Sequence, residues 1–279
     1  MLKRIITSIV AVIILLPFLI FSDTILFSIG IAAISLISAY EMAKCMGFDK
    51  KLHMTLPIYC ISLAIPFLIR YAFDLVQFAM VVFIFGIVYL LYLFVIIITS
   101  HGNITFNEAT AFFAVEAYIL TAMNSIVYIR DFEGSGKYLY LLIFIGAWIT
   151  DIFAYFTGVF FGKHKLIEDV SPKKTIEGSI GGIFFCALCY VVFGIIVGQF
   201  FDREVNLIML GISGVLISVI SQVGDLIMSV IKRHYNIKDY GKIFPGHGGM
   251  LDRFDSILAV SIGLACICVF VQLTGIQLM

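Results

Sequence analysis

Nine runs of mainly apolar residues fill most of the 279-residue chain, and each approaches the roughly 20 residues that a helix needs to cross a bilayer. They run from about Ile5 to Phe21, Ile25 to Met42, Met54 to Ile69, Leu75 to Thr99, Glu108 to Ile129, Tyr138 to Phe161, Ile180 to Phe201, Leu207 to Ile231 and Ser256 to Leu273. Hydrocarbon offers no partners to a peptide group, so such runs must satisfy their own N–H and C=O groups, as helices do. Composition agrees, since only 13% of residues are charged, where a soluble domain carries about 25%. A soluble globular domain, a disordered chain and a nucleic-acid binder are excluded. The expected fold is an all-α polytopic membrane protein of about nine transmembrane helices in one integral membrane domain, residues 1–279. Residues 1–147 supply helices of unspecific sequence, and 148–279 carry the motifs. The first run follows Lys3 and Arg4 as a signal peptide would, but it lacks a clear small-x-small cleavage site and is read as a retained helix.

Basic residues set the expected orientation. With the N-terminus inside, the inner segments hold 14 Lys and Arg and the outer segments four. The N-terminus is therefore expected in the cytoplasm and the C-terminus outside. Two inner stretches, 162–179 and 232–256, hold nine of the 18 basic and six of the 18 acidic residues. Any chemistry belongs there, near the cytoplasmic face.

Asp225 lies near the inner end of the eighth run, about two helical turns before Lys232. A carboxylate at that depth is costly unless paired, hydrated or metal-bound. Asp252 and Asp255 stand three apart at the start of the ninth run, on one helical face. Hard oxygen ligands on one face, with a third carboxylate on a neighbouring helix, suit Mg²⁺ held together with substrate phosphates. Between them, Pro245-Gly246-His247-Gly248-Gly249 opens the helix with glycines that let backbone N–H groups approach an anion. Lys232, Arg233, Lys238 and Lys242 could neutralise a polyphosphate, or anchor the chain at the headgroups.

In the other stretch, Ser171-Pro172-Lys173-Lys174-Thr175-Ile176-Glu177-Gly178 reads as a Ser N-cap followed by Pro at the first helical position and two lysines. An anion bound at that helix start, or contact with anionic lipid, would each account for the lysines. Asp151 sits in mid-span, where a carboxylate is either functional or bonded to Tyr155 one turn away. Glu41, Glu116 and Asn124 receive no role. Gly158 with Gly162, and Gly194 with Gly198, have the spacing of close helix packing, and the six cysteines fall in or beside apolar runs.

The segment Ser229-x-x-Lys232-Arg233-x4-Lys238-Asp239-x-Gly241-x3-Pro245-x-His247-Gly248-Gly249-x-x-Asp252-Arg253-x-Asp255 resembles the signature of the phosphatidate cytidylyltransferase (CDP-diacylglycerol synthase) family. The Ser171 to Gly178 box, and Asp151 with Tyr155 and Gly158, are similar to that family's other recurrent segments. The resemblance implies transfer of a cytidylyl group from CTP to phosphatidic acid, Mg²⁺ dependence with room for a second cation, and a homodimer in a bacterial-type inner or plasma membrane. It assigns metal binding to Asp225 and Asp252 with Asp255 in support. Catalytic positions are Lys232, Arg233, Lys238, Asp239, His247, Arg253 and Asp255. Substrate contacts fall to Ser171, Lys173, Lys174, Thr175, Ser229, Gly248, Gly249 and Asp151. The competing reading is a transporter for an anionic or nucleotide substrate, which predicts charge deep in the membrane and repeat symmetry; the charge here lies mainly in loops.

Overall fold

The computed structural model describes residues 16–71, 75–275 and 278–279. Eight long helices account for nearly all of them: α1 (Ile25–Cys45), α2 (Leu52–Tyr71), α3 (Leu75–Thr99), α4 (Phe106–Arg130), α5 (Gly136–Phe161), α6 (Ile176–Phe201), α7 (Leu207–His234) and α8 (Leu251–Thr274). All eight are long and apolar enough to cross a membrane. They match the second to ninth runs read from the sequence. The first run lies mostly outside the described residues, apart from a helical stretch at 16–20.

One helix start differs from the sequence reading. The helix expected from Ser171 starts instead at Ile176, because Ser171–Thr175 pairs as strand β2 with β1 (Lys165–Ile167) in an antiparallel hairpin, Lys165 opposite Thr175 and Ile167 opposite Ser171. Pro172 therefore sits in a strand with no neighbour on its other edge, where its missing N–H costs nothing. The N-cap is Thr175, whose Oγ1 accepts from Gly178 N at 3.1 Å. Lys173 and Lys174 consequently precede the helix on β2. Helix α8 begins at Leu251, after the glycine-rich turn as read from the sequence and five residues before its apolar run, since hydropathy does not register a polar first turn.

The described residues form two compact units, Met1–Tyr128 with Asp239–Asp252, and Ile129–Lys238 with Arg253–Met279. In the first unit, α1 ends in a Schellman turn: Phe48 N donates to Ala43 O at 2.7 Å and Gly47 N to Lys44 O at 3.2 Å, with Gly47 at φ 76°. Helix α2 contains Pro57 and Pro66. Pro57 cannot donate to the carbonyl of His53, and Tyr92 of α3 does so instead, its hydroxyl 3.0 Å from His53 O. Tyr89 donates to the next carbonyl, Met54 O, at 2.7 Å. A neighbouring helix thus supplies the partner that lets proline sit inside an apolar span. Arg70 ties the far end of α2 to the approach of α1 through Ser22 O and Thr24 O at 2.8 and 2.9 Å.

The second unit is held by small residues that let α5, α6 and α7 approach. A Cβ on Gly146 would meet Tyr190 Oη at 2.7 Å and Ile217 Cγ2 at 2.6 Å, and one on Gly158 would meet Thr175 Oγ1 at 2.9 Å. Tyr190 is fully buried and donates to Leu142 O at 2.8 Å; Thr150 donates to Ser218 Oγ at 2.9 Å. Close backbones plus a few interhelical hydrogen bonds are the expected glue where lipid is as apolar as leucine. Leu142, Ile143, Ala147, Cys186 and Leu210 complete this core, while Phe160, Phe184 and Ile208 stay exposed as side chains that face lipid do.

Candidate active site

In the second unit the short hairpin β1–β2 carries Lys174 to α7. Lys174 Nζ lies 2.6 Å from Asp225 Oδ2, each side chain about a quarter exposed, at 24% and 25%. Asp151 of α5 accepts from Ser256 Oγ of α8 at 3.1 Å. The quieter expectation for Asp151, a bond to Tyr155, is replaced by this one, and Tyr155 is exposed. Asp225 acts electrostatically on Asp151 and on Asp255, as Lys174 does on Asp151 and Lys232 on Asp255. Three carboxylates from three helices thus gather with two ammonium groups. His164 Nδ1 is 2.7 Å from Glu177 Oε1, which ties the hairpin's first strand to the start of α6.

Hard oxygens in excess over nearby cations are the donor chemistry that Mg²⁺ requires. Among the described residues no three His, Cys, Asp or Glu side chains form a ready metal cage.

In the first unit the glycine-rich turn is organised by two buried carboxyl groups. Asp252 Oδ2 accepts from Tyr240 N at 2.8 Å and from Gly249 N at 3.0 Å. Glu41, near the end of α1, accepts from Met250 N at 3.0 Å and from Leu251 N at 2.9 Å. Gly248 is held at φ 89°, and Phe244 N donates to Gly248 O at 2.9 Å to close the turn. The amides of 249 to 251 therefore point at the protein's own carboxyls. His247 is half-buried in this turn, and Asp239 and Lys242 are exposed; in the second unit Lys238 and Arg253 are exposed.

The remaining predicted residues are distributed around these two centres. Ser229, Lys232 and Arg233 occupy the last two turns of α7, with Arg233 exposed, and Ser171 and Lys173 lie on β2. Thr175 serves as helix cap. The sequence reading gave Glu41 no role. The only available signal was a carboxylate in an otherwise apolar run, and its partners lie 209 and 210 residues away.

The profile of the cytidylyltransferase family matches residues 2–271. The chain belongs to that family. Curated relatives of this family member include phosphatidate cytidylyltransferases of Staphylococcus epidermidis and Staphylococcus haemolyticus, 33% and 32% identical over 257 residues. The enzyme of that name from Staphylococcus aureus is 33% identical over 258 residues. Each alignment covers 92% of this cytidylyltransferase-family chain and 95% of the relative.

Proposed function

We propose that this chain transfers the cytidylyl group of CTP to phosphatidic acid. An oxygen of the phosphatidate phosphate bonds to the α-phosphorus of CTP, the bond from that phosphorus to the β-phosphate oxygen breaks, and pyrophosphate leaves with the electron pair as CDP-diacylglycerol forms. The observation that carries the reading is the Lys174–Asp225 pair set among Asp151, Asp255 and Lys232, in a chain of this family.

A phosphate monoester has a second pKa of about 6, so the nucleophile is already ionised near neutrality and needs no strong base. The barrier lies in bringing two polyanions together. Mg²⁺, if bound at Asp225 with Asp255 in support, would supply neutralisation of phosphate charge and orientation of the nucleotide; the family resemblance also assigns Asp252 as a ligand. Lys174 and Lys232 position phosphate groups as point charges, and Arg233, Lys238 and Arg253 add positive potential for the leaving pyrophosphate. His247, Ser229, Asp239 and the box Ser171, Lys173 and Thr175 belong to the same machinery. Gly248 and Gly249 contribute the shape of the turn. The acyl chains remain in the bilayer, which accounts for an enzyme with a water-soluble cosubstrate being almost wholly apolar.

A cytoplasmic site, a homodimer and a second cation are parts of this proposal, supported by the 14-to-4 distribution of basic residues for the first and by the family resemblance for the others. The deciding experiment is pyrophosphate release by purified protein with CTP, phosphatidic acid and Mg²⁺, alongside Asp225→Asn and Asp252→Asn. Phosphatidate-dependent release that is lost in folded variants is expected. Uptake of CTP into proteoliposomes without pyrophosphate release would replace the enzyme with a transporter.

A further inference from the structure

Met250 and Leu251 are the N-cap and first residue of α8, so their amides have no acceptor within the helix. Both residues are buried, at 9% and 0% exposure, which denies these donors water. The two oxygens of Glu41, itself 2% exposed, take one amide each. The preceding amide, Gly249 N, goes to Asp252 Oδ2, which also holds Tyr240 N across the loop. Three successive amides therefore fix the turn from which Asp252 projects, and Glu41 accepts two of them.

The glycine pattern follows from the same carboxyl. A Cβ on Gly241 or on Gly249 would overlap the Glu41 carboxyl oxygens, so both positions are open because Glu41 fills the space beside them. Gly248 is packed likewise against Asp252, where a Cβ would stand only 2.7 Å from Oδ2. Sequence spacing ties Gly241, Gly248 and Gly249 to the turn, but only the Glu41 side chain explains why a methyl group fails at two of them.

We propose that Glu41 is a positioning residue that holds the amides of Met250 and Leu251 so that Asp252 keeps the orientation it needs to serve the metal. This rests on the cytidylyltransferase reading, in which Asp252 is a metal ligand. Glu41 itself touches no substrate. A Gln at this position keeps one acceptor oxygen but sets an NH₂ against the second amide, leaving a buried donor unsatisfied.

The test compares full-length wild type, Glu41→Gln and Gly249→Ala in detergent by hydrogen–deuterium exchange without ligands, and by the Mg²⁺ concentration giving half-maximal pyrophosphate release. In Glu41→Gln, exchange at 249–251 should accelerate by roughly ten- to a hundredfold, the range expected for losing a hydrogen bond to a charged group. The Mg²⁺ requirement should rise severalfold, with a smaller change in the rate at saturating Mg²⁺. Gly249→Ala, which displaces the carboxyl without removing it, should reproduce both effects and carries the test should Glu41→Gln not fold. Wild-type exchange at 249–251 in a folded variant would overturn the proposal. Faster exchange with an unchanged Mg²⁺ requirement would also overturn it, reducing Glu41 to a structural cap. If wild type releases no pyrophosphate, the function reading falls, and the exchange arm still decides whether Glu41 holds the turn.

Discussion

Replacing Lys174 with Met keeps most of the side chain's length and removes its charge from Asp225. The two groups are 2.6 Å apart and about a quarter exposed. At that distance, with an effective dielectric of about 20, their attraction is roughly 6 kcal/mol before desolvation and side-chain ordering are subtracted. Exposed pairs net about 0–1 kcal/mol, and breaking a buried pair costs about 3–5 kcal/mol. Partial exposure places Lys174→Met between them, at about 1–3 kcal/mol. A chain of this size loses about 2–4 °C of melting temperature per kcal/mol, so with EDTA the variant should melt several degrees below wild type. Mg²⁺ should then act in the opposite sense. In the proposed reading Lys174 competes with a divalent cation for Asp225, and its loss leaves the charge of Asp151, Asp225 and Asp255 less compensated. Added Mg²⁺ should raise the variant's melting temperature more than it raises that of wild type, read by intrinsic fluorescence in detergent. Equal melting in EDTA together with an equal response to Mg²⁺ would refute the reasoning.

Gly146→Ala should destabilise by about 1–3 kcal/mol, because its Cβ would meet Tyr190 Oη and Ile217 Cγ2 inside van der Waals contact; thermal unfolding of the purified variant checks it. Tyr92→Phe removes the donor to His53 O and should cost about 0.5–1.5 kcal/mol. That cost should shrink in a Pro57→Ala background, where residue 57 regains its own N–H, and a double-mutant cycle measures the difference. Glu116 is fully buried, and neither of its carboxyl oxygens has a hydrogen-bond partner among the described residues. Glu116→Met should therefore raise the melting temperature, by about 1–3 kcal/mol of relieved desolvation, with pyrophosphate release unchanged; a loss of release in a stable variant would give Glu116 a function.

Helices were legible wherever the apolar run was long, as at Leu75–Thr99, where the expected and observed bounds coincide. They were less legible at polar ends. Asp252 and Asp255 lie on one helix as their spacing indicates, although hydropathy starts that span only at Ser256, and Ser171-Pro172 reads as a helix start but lies in a strand. Ser-Pro fits a cap by residue type, but pairing with Lys165–Ile167 places it in a strand and leaves the cap to Thr175. The site was legible as a set of residue types. Asp225 and Asp151 stood out because a charge in an apolar setting demands a partner, although Asp151 found Ser256 and not the nearby Tyr155; Lys174 stood out as one of two lysines in the Ser171–Gly178 box.

The sequence by itself determined that this chain lives in a membrane, where the eight long helices among the described residues run, and which residues bear charge that needs explaining, because burial of a peptide group or a charge in hydrocarbon carries a cost that depends on local composition. Tertiary structure alone decided the pairings. That Glu41 holds amides more than 200 residues away, that Tyr92 supplies what Pro57 removes, and that Lys174 rather than Lys173 meets Asp225 all depend on which faces of separate helices meet. Hydrogen bonds and ion pairs act over about 3 Å, and no one-dimensional pattern specifies a distance that short between segments so far apart in the chain.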